Sequence, residues 1–188
     1  MSTIYYCYYV APVGRLLMLA QDEKLTNLDF EQEQMLPHST WVEDAKRPIF
    51  LHVKQALSRY FAGEKEDFKG IPLAPQGTAF QCAVWQALQQ IGYGESASYA
   101  ELAKRIANPK AVRAVGGAVG RNPISILIPC HRILGKDRAL TGFGGGLPIK
   151  RHLLQLEQIP YVDKGIESVK PKGLQKYQQN FSKTDRTL

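Results

Sequence analysis

The stretch ILIPCHRIL, Ile126 to Leu134, sets a cysteine, a histidine and an arginine between two runs of aliphatic residues. Aliphatic runs of this kind are buried, and a thiol is at home among them. An imidazole and a guanidinium are not, because buried cationic groups need partners. The segment ISILI, 124–128, predicts a buried strand with Pro129 and Cys130 at its end. Cys130 is then either a structural core thiol or a reactive one. Its position after a proline and before His131 and Arg132 favours the second reading, because cationic surroundings stabilise thiolate.

Neighbouring residues of an extended chain point to opposite sides, so His131 is poorly placed to touch the sulfur directly. A bridging water solves the geometry, and the imidazole then needs an orienting acid. Glu157, on the closing helix LPIKRHLLQLEQI, is the only acidic residue between Asp137 and Asp163. A Cys130–water–His131–Glu157 chain follows the logic of nucleophile, base and orienter. The plainer alternative is that Glu157 is an exposed helix acid.

Upstream, SYAELAKRIANPKAVRAVGGAVGRNP predicts two short helices joined by a tight turn, a helix-turn-helix pattern. Ser98 caps the first helix, Asn108-Pro109 makes the turn, and Pro109 is expected to start the second. That second helix carries Ala, Gly and Val at nearly every position, with Lys110 and Arg113 its only charged side chains before Gly120. A helix face stripped of bulk approaches a phosphate backbone or groove closely, and a lone arginine on it can insert. An Ala-rich core helix with Arg113 at its edge is the alternative.

Ahead of these elements, residues 3–30 read as an antiparallel meander of β-rich segments broken by turn residues. A helix follows near Pro48 to Ala62, with Phe50, Val53, Leu57 and Phe61 on one face. Another is expected from Ala79 to Ile91, opened by a capping box at Thr78 and Gln81 and stopped by Gly92, with Phe80, Val84, Leu88 and Ile91 buried. The unpatterned span Glu64 to Gly77 marks a boundary. The division expected is 1–70 as an N-terminal structural domain, 71–160 as the domain that carries the chemistry, and 161–188 as a basic, flexible tail. The fold class is α+β: a small antiparallel sheet with a helix, packed on a mostly helical C-terminal domain.

Charge follows this division. Residues 1–70 hold 8 Lys and Arg against 10 Asp and Glu, residues 71–160 hold 10 against 4, and residues 161–188 hold 6 against 3. A basic second part points to nucleic acid as the partner. No apolar run approaches a membrane span, and the N-terminus lacks the pattern of a secretory signal. Three widely spaced cysteines at 7, 82 and 130 make neither a disulfide framework nor a zinc pair, so a cytoplasmic setting is expected.

NPKAVRAVGGAVGRNPISILIPCHRIL, with GESASYAEL before it and TGFGGGLPIKRHLLQLE after it, closely resembles the O6-alkylguanine-DNA alkyltransferases. The resemblance is dense from Gly77 to Glu157 and colinear but weaker over APVGRLLMLAQDEKL near the N-terminus. It implies a monomer without cofactor that binds double-stranded DNA through the minor groove and rotates the damaged guanine out of the stack. Extrusion is needed because the alkyl carbon is out of reach inside the duplex.

The resemblance also implies roles for single residues. Arg113 matches the finger that fills the vacated place, with Lys110, Ala111, Val112 and Arg121 beside it on the DNA-binding element. Tyr99 matches the residue that crowds the 3′ phosphate and donates to the departing base. Cys130 matches the nucleophile and alkyl acceptor, His131 the base acting through water, and Glu157 its orienting acid. Asn122 matches the hinge between the helix-turn-helix and the active-site strand. Lys150 matches a lysine that neutralises the departing base, and Ile133 a carbonyl that reads the exocyclic amine. Phe143, Gly144 and Gly145 fall in the substrate pocket.

Two departures stand out. Some members carry a hydroxyl side chain where this chain has Gly144, so donation to O6 falls to backbone N–H in a roomier pocket. Zinc-binding members use N-terminal Cys and His ligands that Cys7, His38 and His52 do not reproduce, so no metal is expected. The implied reaction is irreversible transfer of the alkyl group to Cys130, once per molecule. A lesion-binding protein without catalysis is the alternative, disfavoured because such relatives replace the cysteine. A cysteine hydrolase would leave the helix-turn-helix unexplained.

Overall fold

A computed structural model of the protein describes residues 2–32 and 36–164. The expected tail lies outside them from residue 165 onward.

The N-terminal part is a sheet with one helix laid on it. Strands β1 (Tyr5–Ala11), β2 (Gly14–Gln21) and β3 (Lys24–Phe30) form the antiparallel meander, and a short β4 (Val42–Glu43) adds in parallel to β1, giving the order β3-β2-β1-β4. Two-residue connection of β2 to β3 requires left-handed backbone at both positions, and Asp22 (φ 53°) and Glu23 (φ 56°) adopt it. The middle strand β2 is buried on both faces. Leu16, Met18 and Ala20 face the main core, whereas Leu17 and Leu19 join Ile4 and Trp41 in a smaller cluster on the other side.

Helix α1 (Pro48–Phe61) begins with proline in its first turn, where no N–H is missed. Its buried stripe is Ile49, Phe50, Val53, Ala56, Leu57 and Tyr60. The sequence placed Phe61 on this face; the structure turns Tyr60 inward instead and leaves Phe61 half-buried. The spacing 53, 57, 60 keeps closer to one line of a 3.6-residue helix than 53, 57, 61 does.

The C-terminal part contains α2 (Ala79–Leu88), α3 (Tyr99–Arg105), α4 (Val112–Gly120) and α5 (Leu147–Leu156). Both expected N-caps are made: Thr78 with Gln81, and Ser98 with Glu101, each a reciprocal capping box. Helix α2 ends at Leu88, short of the expected Ile91, which lies buried in the following turn. Helix α4 starts at Val112 and not at Pro109: Ala107 is left-handed (φ 57°), and residues 109–111 form the turn. Trp85 Nε1 donates to the Ala118 carbonyl at 2.9 Å, tying α2 to α4.

The predicted strand over 124–128 is not a strand. Ile124 makes one isolated bridge with Leu28, and Ile126 takes a left-handed φ of 71° that β-branched residues rarely adopt. The segment then coils back, with Ile128 N donating to Ile124 O at 3.0 Å and Cys130 N to Ile128 O at 2.8 Å. The segment is surrounded on all sides, so its apolar run reflects burial and carries no strand periodicity. Asn122 makes this possible. Fully buried, it accepts from Ile124 N at 3.0 Å and donates to Ile128 O at 2.7 Å, satisfying backbone groups that a ladder would otherwise serve.

The two parts share one core, from Cys7 in β1 to Leu153 in α5. The outer edge of β3 is covered by the other part: Leu25 brackets residues 72–74, and Leu28 brackets Pro123 and Ser125 through backbone hydrogen bonds of 2.8–3.0 Å. Residues at the start of the expected tail run beside the 138–140 segment, where Ala139 bridges Val162, and Arg151 pairs with Asp163 at 2.7 Å.

Candidate active site

Cys130 opens a single 3-10 turn, Cys130–Arg132, that leads into the two-residue strand β6 (Ile133–Leu134), paired in parallel with β5 (Ala97–Ser98). The expectation of an extended chain here is therefore corrected. A 3-10 turn swings successive side chains by about 120°, and His131 and Arg132 use that swing to reach one carboxylate. Cys130 keeps 7% of its surface exposed while His131 keeps 0%, so both residues are buried and only the cysteine retains any contact with solvent.

That carboxylate is Glu157, at the C-cap of α5 and 3% exposed. The plain exposed acid is thus excluded. Its Oε2 bonds His131 Nε2 and accepts from the Tyr60 hydroxyl at 2.6 Å. Its Oε1 accepts from Arg132 Nε at 2.8 Å and Gly94 N at 3.1 Å. Burial alone would raise this carboxyl, but the His131 side chain, the Arg132 guanidinium and the Tyr60 hydroxyl together hold it at about 2. Arg132 also donates to the Ile91 carbonyl at 2.6 Å. Its guanidinium is therefore committed to Glu157 and Ile91, where the sequence placed it among the cationic surroundings of the thiol.

Burial pushes His131 below the ordinary imidazole value, against the pull of Glu157. A neutral imidazole facing an ionised carboxylate must carry its proton on Nε2 and donate it to Oε2. Nδ1 is then a lone pair, and among the described residues it has no hydrogen-bond partner although it is buried. The arrangement presents an oriented base beside a cysteine.

Tyr99 and Lys150 lie close enough to Cys130 to interact with its charge. Tyr99 opens α3, and its hydroxyl shares a 3.1 Å hydrogen bond with Thr141 Oγ1. Lys150 on α5 is 1% exposed and donates to Ile133 O at 2.7 Å, Thr141 O at 3.1 Å and Thr141 Oγ1 at 3.3 Å. Burial draws this ammonium down to about 8, while the Cys130 charge acts to raise it. The Cys130 charge also raises Tyr99, after burial. Both groups thus sense the sulfur.

The Gly-rich loop is held from the N-terminal part. Phe143 meets Phe30, the last residue of β3, edge-on at 5.8 Å between ring centroids. A Cβ on Gly145 would come within 2.7 Å of the Phe30 ring, so a side chain there requires the ring to move. Gly144 is half-buried between them.

Arg113 is exposed on α4, as are Val112, Ala114, Gly117 and Gly120. Gly117 and Gly120 face open space, and Lys110 and Arg121 flank the helix in exposed positions, with Ala111 half-buried at its N-cap. The bulk-free side of this helix is therefore its solvent side, which excludes an Ala-rich core helix. Arg113 is exposed, whereas Cys130, His131 and Glu157 are buried. Sequence reasoning missed Tyr60, Gly94 and Thr141. A tyrosine on a buried stripe needs a hydroxyl partner, which is a signal for Tyr60; the other two act through a backbone N–H and a loop contact that no pattern marks.

Residues 79–159 match the family model described as 6-O-methylguanine DNA methyltransferase, DNA binding domain, and residues 4–75 match its ribonuclease-like domain. The chain is 62% identical to the methylated-DNA–protein-cysteine methyltransferase of Haemophilus influenzae over 179 residues, covering 95% of this chain and 100% of that protein. It is 43% identical to the constitutive methylated-DNA–protein-cysteine methyltransferase of Bacillus subtilis, covering 85% of this chain and 99% of that one. The crystal structure of Mycobacterium tuberculosis OGT in complex with DNA superposes with a TM-score of 0.75 at 42% identity, covering 82% of this chain and 92% of that one. On the matched models and these identities, the chain belongs to the 6-O-methylguanine DNA methyltransferase family.

Proposed function

We propose that the protein repairs O6-alkylguanine in double-stranded DNA by moving the alkyl group to Cys130, once per molecule. The observation that carries this reading is the buried His131, tied at Nε2 to Glu157 and open at Nδ1, adjacent in the chain to a cysteine that keeps a little exposure. His131 takes the thiol proton through a water molecule, and the Cys130 sulfur attacks the alkyl carbon. The S–C bond forms as the C–O6 bond breaks, and the guanine leaves with the bonding pair. Tyr99 supplies a proton or hydrogen bond to the departing base, and Lys150 balances its charge. The product is a thioether with no easy reversal, so no nucleophile is regenerated.

DNA is the partner, with α3 and α4 as the helix-turn-helix, entering from the minor groove. Arg113 fills the space left by the rotated base, at an unstacking cost of about a few kcal/mol. Lys110, Ala111, Val112 and Arg121 border the backbone, and Asn122 joins this element to the Cys130 turn. Ile133, Phe143, Gly144 and Gly145 form the base pocket. In this reading residues 1–70 are the structural domain, residues 71–160 bind DNA and transfer the alkyl group, and the protein acts as a cytoplasmic monomer. Among the described residues no helix is long and apolar enough to cross a membrane.

Incubation with duplex DNA carrying a labelled methyl at guanine O6, followed by peptide mapping, tests the assignment. Label is expected on Cys130 alone, with yield reaching a plateau at one methyl per molecule. Cys7 is a poor acceptor, since burial pushes its thiol up to about 11. Label on Cys7 or Cys82, or continued turnover, overturns the reading. Cys130→Ser is expected to keep DNA binding and lose transfer.

A further inference from the structure

We propose that Tyr60 is a positioning residue for alkyl transfer, contributed by the N-terminal part: its hydroxyl donates at 2.6 Å to the same Glu157 oxygen that bonds His131. The inference rests on the reading of Glu157 as the acid that orients His131, and it gives residues 1–70 a part in the chemistry through that carboxylate.

Tyr60 sits at the end of α1, fully buried, and packs its ring against Phe61, Phe68 and Tyr93 at centroid distances of 5.2, 5.6 and 6.1 Å. A phenylalanine would satisfy those contacts. The hydroxyl adds one interaction, and its partner lies 97 residues away on the relay carboxylate. Burial, and then the Glu157 charge and hydrogen bond, push the phenol far above its ordinary value, so it stays a donor at every working pH.

The effect on geometry follows from the count of lone pairs. Oε1 of Glu157 is held by Arg132 Nε and Gly94 N. Tyr60 occupies one lone-pair direction of Oε2 and leaves the other to His131 Nε2–H. The carboxylate plane is then fixed at both oxygens by donors from α1, the 93–94 turn and the 130–132 turn. Fixing that plane fixes the imidazole, and with it the direction in which Nδ1 presents its lone pair. Without the hydroxyl, Oε2 has one donor and the His131 ring gains a second orientation.

The test is the rate of reaction with free O6-benzylguanine, which bypasses DNA binding, followed across pH in the parent, Tyr60→Phe, Glu157→Gln and the double variant. Tyr60→Phe keeps the ring contacts. It is expected to react about tenfold more slowly at neutral pH, the scale of one hydrogen bond to a charged group. Most of that loss should return at high pH, where the thiol ionises unaided. The double variant is expected to be no slower than Glu157→Gln, because the hydroxyl acts only through that carboxylate. A loss of equal size at every pH, or one that adds in full to Glu157→Gln, assigns Tyr60 a packing role and overturns the proposal while leaving the relay intact. An unchanged pH profile in Glu157→Gln removes the relay, and Tyr60 with it.

Discussion

The Lys150 ammonium and the Ile133 carbonyl oxygen stand 2.7 Å apart, in a setting where the lysine is 1% exposed. Its other hydrogen bonds go to the carbonyl and hydroxyl of Thr141, both neutral acceptors. A buried cation held only by dipoles is easily discharged, which is why burial brings this one down to about 8. One lone pair of the Ile133 carbonyl is thereby engaged by the lysine.

If protonated Lys150 balances charge at the sulfur and the departing base, its contribution must disappear as it deprotonates. Lys150→Met, which keeps the length of the stem, is expected to slow reaction with a free alkylguanine base by about tenfold or more below pH 8. The ratio of parent to variant rates should narrow above that pH, where the parent lysine is itself neutral. Measuring both pH–rate profiles checks this; a constant ratio removes the charge from the mechanism.

Helix α4 offers a test of the DNA-facing assignment that separates shape from charge. A Cβ on Gly117 meets nothing within 4 Å, so Gly117→Ala should stabilise the free protein by up to about 1 kcal/mol through helix propensity. Gly117→Phe should leave the free-base reaction intact yet slow repair of duplex, because bulk then separates the helix from the groove. Arg113→Ala should show the same split through loss of the side chain that fills the stack. Equal losses on free base and duplex, for either Arg113→Ala or Gly117→Phe, would mean that the change reaches the active site through the fold. Duplex affinity of the parent should fall with added salt through counter-ion release.

Asn122 is expected to carry an unusually large share of local stability. Its amide serves one buried donor and one buried acceptor, Ile124 N and Ile128 O, in a segment that has no ladder to fall back on. Asn122→Ala leaves both unsatisfied and should cost about 2–4 kcal/mol in a denaturant titration. The rate with a free alkylguanine base should fall as well, because the same segment delivers Cys130. Loss of stability without loss of rate would mean that the 130–132 turn holds its shape independently.

The parts of the molecule governed by local rules were legible in advance. Thr78-Gln81 and Ser98 satisfy the first N–H groups of their helices wherever the helices pack, so the capping box at Thr78 and the cap at Ser98 appear as expected, the latter completed by Glu101. The 124–128 segment was not legible as an irregular loop, because complete burial produces the same aliphatic run in a strand, a helix or a coil. Its shape depends on contacts that no local pattern records: the Asn122 side chain acting on backbone six residues away, and backbone bonds from Leu28 in the sheet. Glu157 was found as a partner for His131 by its place as the sole acid in reach. Tyr60 was not, because the contact joins α1 to α5 across the shared core, and no periodicity within either helix records it. The charge of Arg132 is visible in the sequence but its partner is not, since the swing of a 3-10 turn toward Glu157 depends on tertiary packing.

The buried network around Glu157 makes the fold sensitive to acid in a window set by its own groups. With the folded carboxyl at about 2 against an ordinary value of 4.5, the unfolded chain takes up a proton first as pH falls. The stabilisation is fully present above pH 4.5 and is lost on descent toward pH 2, on the order of a few kcal/mol. His131 acts in the same direction from higher pH: burial holds its folded value below 6.5, so only the unfolded chain is protonated as pH drops below that point. Stability should therefore begin to decline near pH 6.5 and fall more steeply below 4.5. Denaturant titrations at several pH values check the course. Glu157→Gln, which cannot ionise, should be less stable at neutral pH and should lose most of the steep segment below pH 4.5. A variant that keeps the parent slope there would place the acid sensitivity in other carboxylates.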